Sequence, residues 1–266
     1  MLFSDLALSR RLERAEGLAN MAYVEARARA IPGSNAGWTE IGGTRCMFDT
    51  PESPVTQTFG LGLFEPVTAA IMDEIERFFQ NHGAPVWHEV SPLADASALA
   101  LLNERGYEPL EFTTMLVQEI HPGPLRETAC VVRRAEARES AAWAQLAKEG
   151  WAAGPELAGF FEEFGAIAAV KQDMVSFFAE VDGALSATGA LNIHGDIALM
   201  AGASTVPQAR GRGAQQSLLA YRLHYAAQHG CSLAQMGALP GSASQRNAQR
   251  NGFEIAYTRI KWRLQN

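Results

Sequence analysis

The sequence contains few cysteines and no long apolar run, and both absences exclude whole classes of protein. Three cysteines stand far apart among 266 residues, at Cys46, Cys130 and Cys231. This spacing predicts neither a disulfide framework nor a metal site of the C-x-x-C kind, and it favours a reducing cytoplasm. No stretch approaches the roughly 18 apolar residues that span a membrane. The charged N-terminus lacks the apolar core of a signal peptide, so we expect a cytoplasmic protein without a membrane partner.

An excess of basic residues is also missing, since 22 Lys and Arg stand against 29 Asp and Glu. Nucleic-acid binding requires a surplus of basic charge, so no nucleic-acid partner is expected. The charge is unevenly distributed: residues 1–126 carry 9 arginines, no lysine and 17 acids, whereas eight basic residues and one acid follow from Thr205 onward. We interpret the basic segment as the border of a local anionic ligand. A solvated basic face is the alternative.

Alternating helical and strand patterns indicate a mixed α/β (α+β) protein with two domains. With 47% hydrophobic and 19% charged residues, the chain has enough apolar side chains for a core, which excludes a disordered protein. Residues 4–30 are periodic at helical spacing, whereas residues 38–47 and 56–63 have the composition of strands. The segment His121-Pro-Gly-Pro124 interrupts this pattern and is the predicted interdomain linker.

Two segments of the chain repeat one pattern. Residues 83–118 and 230–264 each contain a strand, a short helix, a glycine followed by an aromatic residue, and a final strand. Repetition of this kind indicates two copies of one fold, although a chance match of short elements is the alternative. We therefore predict domains at residues 1–122 and 127–266.

The most informative segment is a glycine-rich turn between an apolar strand and an amphipathic helix, Val206-Pro-Gln-Ala-Arg-Gly-Arg-Gly-Ala214. The first N–H groups of a helix lack partners and carry partial positive charge, so phosphate binds there. Gly211 and Gly213 allow close approach of the backbone to a ligand, and Arg210 and Arg212 add charge. The segment is neither a Walker P-loop nor a G-x-G-x-x-G motif. A phosphate-containing ligand is therefore expected here.

The pattern Gln208-x-x-Gly211-x-Gly213 resembles the acyl-CoA pyrophosphate loop of the GNAT superfamily of N-acetyltransferases. Arg250-Asn-Gly-Phe253 resembles the end of that superfamily's last helix. The resemblance covers about residues 128–266, and with the internal repeat it implies two GNAT-like domains, each a mostly antiparallel mixed sheet flanked by helices. In the first copy, residues 60–67 replace the loop and carry no arginine. The resemblance therefore implies a degenerate N-terminal copy that does not bind CoA in the usual way.

The resemblance also implies the chemistry. Acetyl-CoA is the expected cofactor, without a metal, and a primary amine of a small molecule or peptide is expected to attack the thioester directly in a ternary complex. The residues expected to contact the cofactor are Val206, Gln208, Ala209, Arg210, Gly211, Arg212, Gly213, Ala214, Asn247 and Arg250.

Such a reaction needs a base for the ammonium and a proton donor for the leaving thiolate. The tyrosine donor of many family members is replaced by Ala248, and Ser244 occupies a position that a subset of the family uses. Ser244 is therefore the predicted donor; the alternative is that Ser242 or Ser244 caps the helix that follows. Glu89, on the corresponding strand of the first copy, is the candidate base. A surface salt bridge is its alternative role.

Two other functions remain open at the level of sequence. The missing tyrosine and the weak base assignment are also consistent with a non-catalytic acyl-CoA sensor or interaction module. The loop is furthermore compatible with another phosphate ligand. A monomer or a homodimer is expected, with a slight preference for the monomer because a duplicated fold satisfies within one chain an interface that others form between subunits.

Overall fold

Helices and strands alternate along the chain in the structure, a computed structural model that describes residues 3–151 and 158–264. The helices are α1 (Leu6–Ala30), α2 (Ala69–Asn81), α3 (Ala96–Glu104), α4 (Ser140–Trp151), α5 (Ala158–Val170), α6 (Ala214–Gln228) and α7 (Ala243–Arg250). The strands are β1 (Gly37–Ile41), β2 (Thr44–Phe48), β3 (Gln57–Phe59), β4 (Trp87–Val90), β5 (Tyr107–Glu119), β6 (Val131–Arg134), β7 (Met174–Val181), β8 (Ala184–His194), β9 (Ile197–Thr205), β10 (Leu233–Ala238) and β11 (Glu254–Leu264). The predicted mixed α/β class is confirmed. In the described part of the chain, no helix is long and apolar enough to cross a membrane.

Two predicted strands of the N-terminal half are wrong in extent, and glycines explain both errors. The strand predicted over residues 38–47 is a hairpin, because Gly42 and Gly43 adopt φ values of 54° and 67° and reverse the chain between β1 and β2. The strand predicted over residues 56–63 ends at Phe59. Gly60 and Gly62, with φ values of 91° and 71°, turn the chain there.

The chain forms two compact units whose boundaries differ from those predicted. Unit 1 comprises residues 1–117 and 237–266, and unit 2 comprises residues 118–236. Helix α7 and strand β11 thus lie in unit 1, although the predicted domains at residues 1–122 and 127–266 assign them to the second half. The two halves do share an element order, since α2-β4-α3-β5 follows β3 as α6-β10-α7-β11 follows β9.

Unit 1 contains strands in the order β1-β2-β3-β4-β11-β5, with all neighbours antiparallel except β3 and β4. Helix α2 connects this parallel pair. Its buried residues Met72, Ile75 and Phe79 lie at helical spacing and pack into a core cluster with Cys46 and Val90. The sheet is therefore covered on this face by an apolar layer.

Unit 2 contains strands in the order β10-β9-β8-β7-β6, again antiparallel except for the pair β9 and β10, which α6 connects. Successive residues of β7 point to opposite faces. Phe178 packs with Trp143 of α4, whereas Phe177 makes edge contacts with Tyr221 and Tyr225 of α6. The two tyrosines are thus packing residues.

A buried ion cluster connects α1 to the last strand of the chain within unit 1. Arg259 of β11 contacts Glu13 at 3.3 Å, Glu16 at 2.7 Å and Glu89 at 2.9 Å. The hydroxyl of Tyr257 also donates to Glu13 over 2.8 Å. Burial raises the pKa of the Glu13 carboxyl to about 7, although Arg259 opposes the shift. The Glu13 carboxyl therefore gains and loses its proton near neutral pH rather than near pH 4.5.

This raised pKa predicts a stability component that disappears as the pH rises. A carboxyl that binds its proton more tightly in the folded state stabilises the fold fully below its unfolded pKa of 4.5, and this contribution is lost up to and through about pH 7. Glu13→Gln cannot ionise. The free energy of unfolding of this variant relative to wild type should therefore increase between pH 4.5 and 8, by on the order of 2–3 kcal/mol.

Urea unfolding across this pH range measures the difference. Glu104→Gln is the matched control because Glu104 is exposed on α3, and its curve should run parallel to that of wild type. Parallel curves for Glu13→Gln and wild type would contradict the prediction.

Candidate cofactor-binding site

The glycine-rich turn forms the connection between β9 and α6, as predicted. A short 3-10 turn at Pro207–Ala209 follows Val206, and Gly211 then takes a φ of 75°. Gly213 is the N-cap of α6 with a φ of 83°, in the left-handed region. A side chain is strained in that conformation, so both glycines are required by the path of the chain.

The N-terminus of α6 differs in its capping from those of α1, α2, α3 and α7. A side chain accepts a backbone N–H at the start of α1, α2, α3 and α7, from Asp5, Thr68, Asp95 and Ser242. At α6 the cap is Gly213, and no side chain of the described residues caps the helix. The backbone N–H groups at this terminus therefore remain available to an anion, and the helix dipole favours one there.

The two loop arginines contact the protein rather than open space. Arg210 donates to the carbonyl oxygens of Gly150 over 3.0 Å and Thr205 over 3.3 Å. Arg212 forms an ion pair of 2.5 Å with Asp182, whose side chain is 74% exposed. These contacts anchor the loop, and the contribution of Arg210 and Arg212 to ligand binding stays a prediction.

The remaining loop residues offer backbone rather than side chains. Val206, Ala209 and Ala214 are buried, whereas Gln208 is exposed. Gln215, which the sequence analysis did not single out, ties α6 to β9 by donating to the carbonyl of Ser204 over 2.6 Å and to the Thr205 hydroxyl over 2.9 Å.

Strand β9 contains a bulge immediately before the loop. Thr188 pairs with Ser204 and Ala190 with Ala201, so Gly202 and Ala203 stand opposite the single residue Gly189. Gly202 has a φ of 58°, and a Cβ there would lie 2.8 Å from the Trp143 ring. A bulge interrupts the ladder and frees backbone groups. The end of β9 therefore has an irregular, partly exposed backbone next to the glycine-rich turn.

A buried arginine beneath the bulge was missed by the sequence analysis. Arg222 is 2% exposed and donates to the carbonyls of Ala190 over 3.0 Å, Ala201 over 3.2 Å and Leu218 over 3.3 Å. Burial lowers the pKa of its guanidinium to about 10. Helical spacing alone indicates that this arginine is buried, because residue 222 lies on the same helical face as the buried residues Leu219 and Ala226.

Comparison with known proteins concerns the fold alone. No family model matches the chain, and no curated protein matches it. Among solved structures, a GCN5-related N-acetyltransferase from Kribbella flavida is 18% identical, with 91% of this chain and 94% of that chain covered at a TM-score of 0.66. A tandem GNAT protein from the clavulanic acid biosynthesis pathway is 13% identical, with 92% and 88% covered at 0.60. A GCN5-related N-acetyltransferase from Sphaerobacter thermophilus is 15% identical, with 90% and 84% covered at 0.57.

The chain has the GNAT fold. The likeness extends over both halves, which confirms the predicted fold class and the tandem arrangement of two GNAT-like copies.

The predicted site residues that follow the GNAT loop lie on α7 in unit 1. Ser242, not Ser244, caps this helix by accepting the N–H of Gln245 over 3.1 Å. Ser244 and Arg250 are exposed, and Asn247 is half-buried and accepts from the Asn251 side chain through its carbonyl over 2.8 Å. The capping alternative is therefore correct for Ser242 and wrong for Ser244, whose role as a proton donor stays a prediction.

Glu89 does not have the environment of a base. Its carboxylate is 3% exposed and contacts Arg259 at 2.9 Å and Lys261 at 3.3 Å. The alternative of a salt bridge is correct, but the salt bridge is buried rather than at the surface. A base must reach its substrate, so the geometry does not support a catalytic Glu89.

The loop of the N-terminal GNAT copy, residues 60–67, is closed by its own protein contacts. The N–H of Asp95 donates to the Gly62 carbonyl over 2.8 Å. Thr68 then caps α2 by accepting the N–H of Ile71 over 3.3 Å. The start of α2 thus has a side-chain cap, which α6 lacks among the described residues. That this copy does not bind CoA in the usual way stays a prediction.

No metal site is evident among the side chains that the structure describes. Within residues 3–151 and 158–264, no group of three His, Cys, Asp or Glu side chains is arranged to hold an ion.

The contact between Arg222 and Gly189 generates a prediction about stability. A Cβ at residue 189 would lie 3.1–3.4 Å from three guanidinium atoms of Arg222. Gly189→Ala should therefore lower the free energy of unfolding by about 1–3 kcal/mol, the usual cost of overpacking. Urea unfolding measures this loss. Gly37→Ala is the control, since Gly37 also lies in a strand but has nothing within 4 Å of a built Cβ, and equal stability of the two variants would contradict the prediction.

Proposed function

We propose that the protein is an acetyl-CoA-dependent N-acetyltransferase whose acceptor is a primary amine of a small molecule or peptide. The observation that carries the proposal is the uncapped N-terminus of α6 behind two left-handed glycines, on a GNAT fold. Every other helix with a described N-cap side chain uses it. An anion is favoured at an uncapped helix N-terminus, which supports a cofactor site at the start of α6.

The residues of the loop fit the pyrophosphate of CoA. The backbone N–H groups of residues 211–215 would bind it, and Gly211 and Gly213 present no Cβ to hinder its approach. Arg210 and Gln215 would keep the loop rigid through their contacts with β9. When bound, acetyl-CoA would supply a thioester carbonyl activated for attack by the amine.

The β9 bulge would support the reaction through the backbone. Arg222 donates to the carbonyls of Ala190 and Ala201, the strand pair at one end of the bulge, and so brings a buried positive charge next to it. A fixed charge in a buried site stabilises negative charge that develops nearby. Ser244 would donate a proton to the departing thiolate, as the family resemblance implies. Direct attack by the amine in a ternary complex requires no covalent intermediate on the protein.

A non-catalytic acyl-CoA sensor is the second candidate. Two observations favour it. Glu89 is engaged in a buried salt bridge with Arg259. Ala248, which is fully buried, occupies the position where many family members have a tyrosine.

Substitution at Gly211 tests the cofactor site. Gly211→Leu should weaken acetyl-CoA binding at least tenfold in isothermal titration calorimetry, because the side chain would obstruct the exposed N–H groups. Gly195→Leu is matched in unit 2: Gly195 has a φ of 60° against 75° for Gly211, and neither has atoms within 4 Å of a built Cβ. This control should bind like wild type. Equal acetyl-CoA binding by the two variants would contradict the assignment of this loop to the cofactor site.

Turnover distinguishes the enzyme from the sensor. A thiol-release assay with acetyl-CoA and a panel of amines, peptides, aminoglycosides and polyamines should identify an acceptor. With that acceptor, Ser244→Ala should lower kcat by roughly a hundredfold or more at an unchanged KM for acetyl-CoA, as expected for lost acid catalysis. Gln249→Ala, an exposed change on the same helix, is the control. Stoichiometric binding without thiol release from any amine would instead establish the sensor.

A further inference from the structure

Three arginines converge on one aromatic ring in unit 1. The guanidinium carbons of Arg10, Arg14 and Arg45 lie 5.9, 5.0 and 6.0 Å from the centre of the Phe64 ring. Arg10 and Arg14 lie one turn apart on α1, Arg45 is on β2, and Phe64 is in the loop after β3. Cations gather on an aromatic face because its quadrupole attracts them, but three like charges also repel one another.

Three glycines make room for this arrangement. A Cβ at Gly43 would lie 2.6 Å from the Phe64 Cβ, and one at Gly60 would lie 3.0 Å from its ring. A Cβ at Gly17 of α1 would lie 3.0 Å from the Arg45 Cδ. The Phe64 ring and the Arg45 side chain are therefore held in place by the backbone, unlike the mobile side chains of an ordinary charged surface.

The cluster carries more positive charge than the protein compensates. Within the described residues, neither Arg10 nor Arg14 has a carboxylate partner, and Arg10 donates to the Leu63 carbonyl over 2.6 Å. Arg45 pairs with Glu40 at 3.0 Å, and the Glu40 side chain is 47% exposed. One carboxylate thus stands against three guanidinium groups.

The positive charge of Arg45 lies in an unfavourable environment, because its side chain is only 11% exposed. Its Nε is buried and donates no hydrogen bond. Burial lowers the pKa of Arg45, Glu40 opposes this shift, and the neighbouring charge of Arg14 adds to it. An anion at this place would relieve the repulsion and accept hydrogen bonds from the exposed guanidinium groups of Arg10 and Arg14.

We propose that Arg10, Arg14 and Arg45, arranged around Phe64, form a binding site for a phosphoryl group. A phosphoryl dianion matches the two uncompensated charges, and its oxygens suit the guanidinium fork. The site uses side chains, in contrast to the backbone groups at α6, and α2 beside it is capped by Thr68. The proposal does not depend on acetyl transfer, and the phosphoryl group would come from inorganic phosphate or from a nucleotide.

The test separates this site from the loop before α6. Inorganic phosphate and adenosine 3′,5′-bisphosphate are titrated at low salt into the full chain carrying Gly211→Leu, with and without Arg10→Gln/Arg14→Gln. The double variant should bind at least tenfold more weakly. Because both arginines are exposed on α1, their replacement leaves the fold intact, as circular dichroism would verify.

Arg29→Gln is the matched control, an exposed arginine in the last turn of the same helix, and it should bind like the parent. The ligand that shows the arginine dependence identifies the source of the phosphoryl group. Backbone amide shifts of Gly60 and Gly62 on phosphate addition, lost in the double variant, would support the location. Equal binding by the double variant and Arg29→Gln, or no binding of either ligand by the parent, would overturn the proposal.

Discussion

A buried cluster of charges joins the two ends of the chain and determines how unit 1 is assembled. Arg259 of the last strand contacts three glutamates, two on the first helix and one on β4. Removing one partner from such a cluster leaves a buried charge uncompensated, which is strongly destabilising. Strand β11 is therefore required in the sheet of unit 1, between β4 and β5. This requirement explains why the compact units differ from a division of the chain at its linker.

The same cluster changes the meaning of the charge distribution. The sequence analysis interpreted the basic segment after Thr205 as the border of an anionic ligand. In the structure, Arg259 and Lys261 neutralise glutamates of unit 1, Arg222 binds carbonyls, and Arg212 pairs with Asp182. Part of the asymmetry thus reflects a basic strand, β11, that meets acidic side chains of the N-terminal half after folding. Net charge by segment does not distinguish such internal pairing from ligand binding, because both leave the same residue counts.

Local signals were nonetheless sufficient for most of the fold and for the loop. Helix caps, apolar periodicity and the two glycines of residues 211–213 act within a few residues, and the structure places β9, the turn and α6 accordingly. The two copies also show how one residue changes the start of a helix. Thr68 caps α2 with its side chain, whereas Gly213 has no side chain with which to cap α6. The hairpin at Gly42–Gly43 was the main local error, since either a strand or a turn suits that composition.

By itself, the sequence determined the element order, the repeated halves and the glycine-rich turn before α6, because hydrogen bonding and backbone sterics over short distances dictate them. Only the tertiary structure decided which polar side chains are buried and with whom. Glu89 changed from a candidate base to a buried partner of Arg259, and Arg222 and Arg45 emerged as cations with unusual surroundings. Such partners are far apart along the chain. Burial strengthens their interaction, and burial is a property that residue order alone does not reveal.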